Sequence, residues 1–135
     1  MGDWKSKADA IFSRIGMIHH LGIRLTEVTE DEAEMELVVD DRHMNSLGGL
    51  HGGAVAAMAD TVAFFPGALL PSGRRFTTEG VELHFFRPAA EGERIRCRAK
   101  ILRNGRRVVT VEVRTHGEKD KQISHGIVTL LDLDA

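Results

Sequence analysis

Between Asp3 and Ile18 the apolar residues Trp4, Ala8, Ile11, Phe12, Ile15 and Ile18 recur at helical intervals, with Lys5, Lys7 and Arg14 elsewhere on the wheel. This spacing predicts one short amphipathic helix. The period then drops to two. Leu21, Ile23 and Leu25 alternate with polar or small residues, and Ala33, Met35, Leu37 and Val39 alternate with Glu32, Glu34 and Glu36, which predicts two strands joined around Glu30-Asp31. A polar, glycine-rich stretch from Asp40 to Leu50 leads into an apolar segment, Gly52 to Leu70. After it, Val81, Leu83 and Phe85 alternate with Glu82 and His84 up to a turn at Pro88 to Gly92. Ile95, Cys97, Ala99 and Ile101 alternate with Arg94, Arg96, Arg98 and Lys100. The Asn104-Gly105 pair predicts a two-residue hairpin into Val109, Val111 and Val113. A loop at Gly117 to Asp120 precedes a last strand, Ile123 to Leu133.

From Gly53 to Phe65 apolar side chains occupy every face of the helical wheel, so the sequence predicts a long helix surrounded by protein, ended or kinked at Pro66. About six mostly antiparallel strands and one such helix predict an α+β fold, a curved sheet wrapped around one long buried helix, with the short N-terminal helix added.

Length and composition narrow the classes. The 135 residues suit one domain spanning 1–135, with no linker or repeat, and exclude a (β/α)₈ barrel or a two-domain dinucleotide enzyme. Hydrophobic residues at 42% and charged residues at 28% describe a folding chain. Eighteen Lys and Arg against twenty Asp and Glu give a net charge of -2, which argues against nucleic acid or an anionic membrane as partner. The one cysteine, Cys97, shares the apolar parity of Ile95 and Ala99 and is expected to pack; it forms no intrachain disulfide and suits a reducing compartment, so a cytoplasmic location is expected. No signal-type or membrane-spanning apolar run is found. His19 and His20 are adjacent and no HExxH pair occurs, so neither a metal nor a cofactor is expected.

Asp60 is the only ionisable residue between Gly52 and Leu70. A carboxylate there costs several kcal/mol unless it is hydrogen-bonded, paired or open to a cleft. It therefore either serves a structural hydrogen bond on a wet stripe or faces a site. His51-Gly52-Gly53 begins the helix, where two glycines leave first-turn amides open to an anion or a developing oxyanion, or simply allow close packing. No Walker lysine or GxGxxG accompanies them. Asn45 supplies either a second amide donor or a turn, and His51 either positions a ligand or hydrogen-bonds the loop.

Taken together, Asn45-Ser-Leu-Gly-Gly-Leu-His-Gly-Gly-Ala-Val-Ala-Ala-Met-Ala-Asp60, the Leu21-Gly-Ile opening and the Phe85-Phe-Arg-Pro88 strand end resemble the hotdog-fold acyl-CoA thioesterases, in particular the group related to phenylacetate-pathway and 4-hydroxybenzoyl-CoA thioesterases. The resemblance spans nearly the whole chain. It implies a hotdog fold and hydrolysis of an aromatic or medium-chain acyl-CoA, coenzyme A being part of the substrate. It also implies that the Gly52 amide and Asn45 bind the thioester carbonyl, while Asp60 activates water or attacks as nucleophile. A hydroxyl on the following strand orients that water in such enzymes; counting back from Pro88 gives Thr78, which falls on the opposite parity from Val81 and requires an irregular strand start, with Thr77 as rival. Gly53 and His51 then adjoin the substrate. Arg94, Arg96, Arg98 and Lys100 either meet the coenzyme A phosphates or form a solvated strand face, and Arg103, Arg106 and Arg107 are similar candidates. Met58, Phe64, Phe65 and Phe76 are candidates to set the acyl pocket's width.

Helix geometry adds an independent constraint. Eight residues separate Gly52 from Asp60, about 12 Å along one helix, too far for both to act on one carbon. Asp60 must then come from a second copy whose helix runs antiparallel, which predicts a two-fold dimer as the minimal active unit and a tetramer as a further assembly. A hotdog dehydratase or hydratase and a non-catalytic acyl-CoA-binding module are the rival functions.

Overall fold

The computed structural model describes residues 3–70 and 74–135. Its elements are α1 (Trp4–Phe12), α2 (Gly16–His20), β1 (Arg24–Val28), β2 (Glu32–Val38), α3 (Gly52–Val62), β3 (Phe76–Phe85), β4 (Arg94–Asn104), β5 (Val108–His116) and β6 (Gln122–Asp132). The strands form one antiparallel sheet in the order β1-β2-β4-β5-β6-β3, so β1 and β3 are its edges.

The core lies between the sheet and α3. Met35 and Leu37 of β2, Ile95 and Cys97 of β4, Val111 of β5 and Leu130 of β6 are buried in one cluster with Val55, Met58 and Val62 of the helix. Each large side chain so buried is worth about 1.5–3 kcal/mol against exposure. Among the described residues no helix is long and apolar enough to cross a membrane.

Four details differ from the sequence expectation. The predicted N-terminal helix is two helices: Asp3 caps α1 by accepting the Ser6 N–H at 3.0 Å, but the Arg14 and Ile15 amides reach back to Ile11 O and Phe12 O, three residues away, and the tightened ladder breaks ahead of Gly16. Leu21 and Ile23 precede the strand, because Gly22 turns the chain at φ 74 and β1 starts only at Arg24. The Asn104-Gly105 hairpin turns two residues later than expected, with Asn104 still paired to Val109, the Gly105 N–H donating to Val108 O at 3.1 Å, and Arg106-Arg107 at the tip. Finally, α3 ends at Val62, and it is not enclosed on all sides. Gly53 is exposed and Ala56, Asp60, Thr61 and Phe64 are only half-buried, because a sheet curling around one side of a helix leaves the i, i+3, i+7 stripe opposite uncovered in a single chain.

Candidate active site

Asp60 sits on that open stripe. From the neighbouring edge strand, the Thr78 hydroxyl donates to Asp60 Oδ1 at 2.5 Å. The parity conflict at Thr78 is removed by a β-bulge. Thr78 pairs with Leu130 and Gly80 with Thr129, so Glu79 is the extra residue, and Thr78 comes to face the helix like Val81 and Leu83 beyond it. Thr77 is exposed and is not brought to Asp60.

The other end of α3 is organised by histidines. His51 is its N-cap: the ring Nδ1 accepts the Gly53 N–H at 2.7 Å, and the His51 carbonyl accepts the Ala54 N–H at 3.0 Å. The expectation of two open amides therefore holds for one. Gly53 donates internally, while the Gly52 N–H has no acceptor among the described residues. Gly52 lies against Phe85, where a methyl group at position 52 would come within 3.3 Å of the ring, at the edge of a cavity of about 430 Å³ that Leu50, Val55 and Arg87 also line.

Asn45 holds the preceding loop. Its Oδ1 accepts from the Leu47 N–H at 2.9 Å and the Gly49 N–H at 3.0 Å, an Asx turn that leaves Nδ2 without an acceptor among the described residues. The sequence reading missed His43, which anchors this loop from below. It is 1% exposed; its Nδ1 accepts the Asp40 N–H at 2.9 Å, so the ring is the Nε2–H tautomer, and Nε2 donates to Leu21 O at 2.6 Å. The His43 carbonyl in turn accepts the His51 N–H at 2.7 Å.

Beside Asp60 lies a second cavity, about 350 Å³, mostly apolar, with Phe64, Phe65 and Phe76 in its wall as the sequence suggested. Met58 is fully buried in the core instead. Ile11, Ile15 and Arg74 also line it, and nothing in their local sequence marked them.

Arg94, Arg96 and Arg98 are not brought to α3. They lie on the outer face of the sheet, where Arg94 pairs with Glu36 at 2.5 Å, Arg96 with Asp120 at 3.0 Å, and Arg98 with Glu32 and Glu27, both at 2.5 Å. Although burial opposes its charge, those carboxylates raise the Arg98 pKa above the ordinary arginine value. Arg103, Arg106 and Arg107 are exposed around the hairpin. Cys97 is buried and its thiol is pushed up to about 12 by that burial, so it packs and does not act as a nucleophile at neutral pH.

Residues 47–124 match the family described as the thioesterase superfamily, more than half of the chain. The chain belongs to that superfamily. This thioesterase is 33% identical over 108 residues to the proofreading thioesterase EntH of Klebsiella pneumoniae, covering 78% of this chain and 77% of that protein. It is 29% identical over 119 residues to a putative esterase of Haemophilus influenzae, 86% of each. Among solved structures, the PaaI protein of the phenylacetic acid degradation operon of E. coli superposes with a TM-score of 0.88 at 18% identity, covering 96% of this chain and 93% of that one, a likeness of fold. A thioesterase from Haemophilus influenzae gives 0.83 at 27% identity, covering 91% and 86%. The thioesterase thus has the hotdog fold and is a thioester hydrolase. On it, Asp60, held by Thr78, and the open Gly52 amide, preceded by the Asn45 loop, stand at opposite ends of one helix.

Proposed function

We propose that the protein hydrolyses acyl-CoA thioesters at a site assembled from two chains. The observation that carries this reading is the separation of Asp60 and the open Gly52 amide along α3, about 12 Å apart in one chain. A second α3, antiparallel across the half-buried stripe, sets the partner's Asp60 beside this chain's Gly52. The edge strand β3 supports the pairing: it presents unpaired backbone groups and the exposed side chains of Val81 and Phe85, a surface a second copy would cover.

In the assembled site, the Gly52 N–H and Asn45 Nδ2 donate to the thioester carbonyl oxygen and stabilise the charge that develops there. Thr78 holds Asp60 Oδ1, so Oδ2 is the oxygen left to accept a proton from the attacking water. The tetrahedral intermediate collapses with rupture of the C–S bond, and the proton taken by Asp60 passes to the departing thiolate. Direct attack by Asp60 through an acyl anhydride is the alternative, separable by whether ¹⁸O from water enters the carboxylate in a single turnover. No cofactor beyond the coenzyme A of the substrate is needed, and a buried free thiol suits a cytoplasmic protein.

Release of free thiol from a panel of acyl-CoAs tests the reading, since a dehydratase or a binding module liberates none. Asp60→Asn keeps an acceptor for Thr78 and is expected to lower turnover about 10²–10⁴-fold with the dimer intact by light scattering. Near-normal turnover in that variant overturns the assignment.

A further inference from the structure

We infer that the cavity beside Asp60 receives the acyl group, that it admits only uncharged acyl groups, and that Ile11 and Ile15 of the N-terminal segment set its length limit. This rests on the proposed hydrolysis. The cavity, about 350 Å³, lies near the small end of ligand sites, and Asp60 stands in its lining, so a thioester carbon placed at Asp60 sends its acyl chain inward between Phe64 and Phe76. The chain then meets Ile11 and Ile15. These two come from either side of the break between α1 and α2, and both are half-buried, packed against the core cluster without belonging to it. Trimming them therefore enlarges the cavity without opening the core.

Arg74 decides the charge preference. Beside Asp60 it is the other charged residue lining the cavity among those described, and each of its three nitrogens already donates: Nε to Asp132 Oδ2 at 3.0 Å, Nη1 to Asn104 Oδ1 at 2.8 Å and Nη2 to Gly105 O at 3.0 Å. The guanidinium lies over the Phe76 ring, 4.6 Å from its centroid. It is a wall whose charge is already matched by Asp132, so it offers a second carboxylate on the acyl group no net charge.

The test is kcat/KM from thiol release for saturated acyl-CoAs from butyryl to palmitoyl, with succinyl-CoA added, using wild-type protein, Ile15→Ala, Ile11→Ala and Ile15→Phe. Wild-type kcat/KM is expected to turn down at an intermediate chain length and to favour butyryl over succinyl by at least about tenfold. Either alanine variant should move the turn-down outward by about two carbons, with the long-to-short kcat/KM ratio rising about fourfold per methylene admitted. Ile15→Phe should move it inward, so general loosening of the fold does not imitate the result. An active wild type whose chain-length profile is the same in all three variants, or which cleaves succinyl-CoA as well as butyryl-CoA, overturns the inference alone. A wild type that releases no thiol from any of these substrates overturns the proposed hydrolysis, and the pocket assignment falls with it.

Discussion

The hydroxyl of Thr78 holds one oxygen of the Asp60 carboxylate at 2.5 Å and fixes which oxygen faces the open side. Thr78→Ala should lower kcat about tenfold with little change in KM, and Thr78→Ser, which keeps the donor, should recover most of the loss. Steady-state kinetics on one acyl-CoA decides it. Asp60 and the glycines at the start of α3 were legible in the sequence, because one acid in an apolar helix and an uncovered helix end are local signals. The choice between Thr77 and Thr78 was not. It turns on the bulge at Glu79, and strict alternation, the only parity rule a sequence offers, puts Thr77 inward. The arginines of β4 mislead for a related reason: Arg98 is met by Glu34 directly opposite and by Glu32 and Glu27 nearby, residues more than sixty positions away in the chain, so a paired charge and a free one read alike.

Among the elements, α3 and the succession of strands along the chain were readable from periodicity, whereas the break between α1 and α2 was not, because apolar spacing carries on through a bend that backbone amides decide. The turn that follows β3 is held by a partly buried ion pair with no local signature. Glu93 accepts from Arg87 Nη2 at 2.8 Å, from the Ala90 N–H at 3.1 Å and from the Glu118 N–H at 3.0 Å. The Arg87 hydrogen bond is the chief cause holding its carboxyl below the ordinary glutamate value of 4.5. With the folded pKa depressed, the stabilisation is fully present above the unfolded pKa and is lost as pH falls through the folded one. Glu93→Gln is therefore expected to cost about 2–3 kcal/mol at pH 7 and progressively less below about pH 4.5. Urea unfolding of both proteins across that range checks it; an equal deficit at low and neutral pH argues against the linkage.

At the scale of the whole molecule, the distance between Asp60 and Gly52 along α3 makes a complementation test of the proposed shared site possible. Gly52→Pro removes the open N–H at the first helical position, where the backbone tolerates proline and the preceding His51 is already extended at ψ 132, provided that the Phe85 ring, 3.3 Å from an added Cβ, shifts slightly. Homodimers of Gly52→Pro and of Asp60→Asn should both be inactive. Unfolded together and refolded, they form mixed dimers in which one site joins an intact amide to an intact acid, so about a quarter of wild-type activity returns. No recovery on mixing would place both groups in one chain's site. The same division has a consequence for gene dosage. With the site shared as proposed, an isolated subunit carries only half of either machine, so where the cell holds the protein below its pairing threshold, output is expected to follow the square of its abundance, and halving expression to leave about a quarter of the flux.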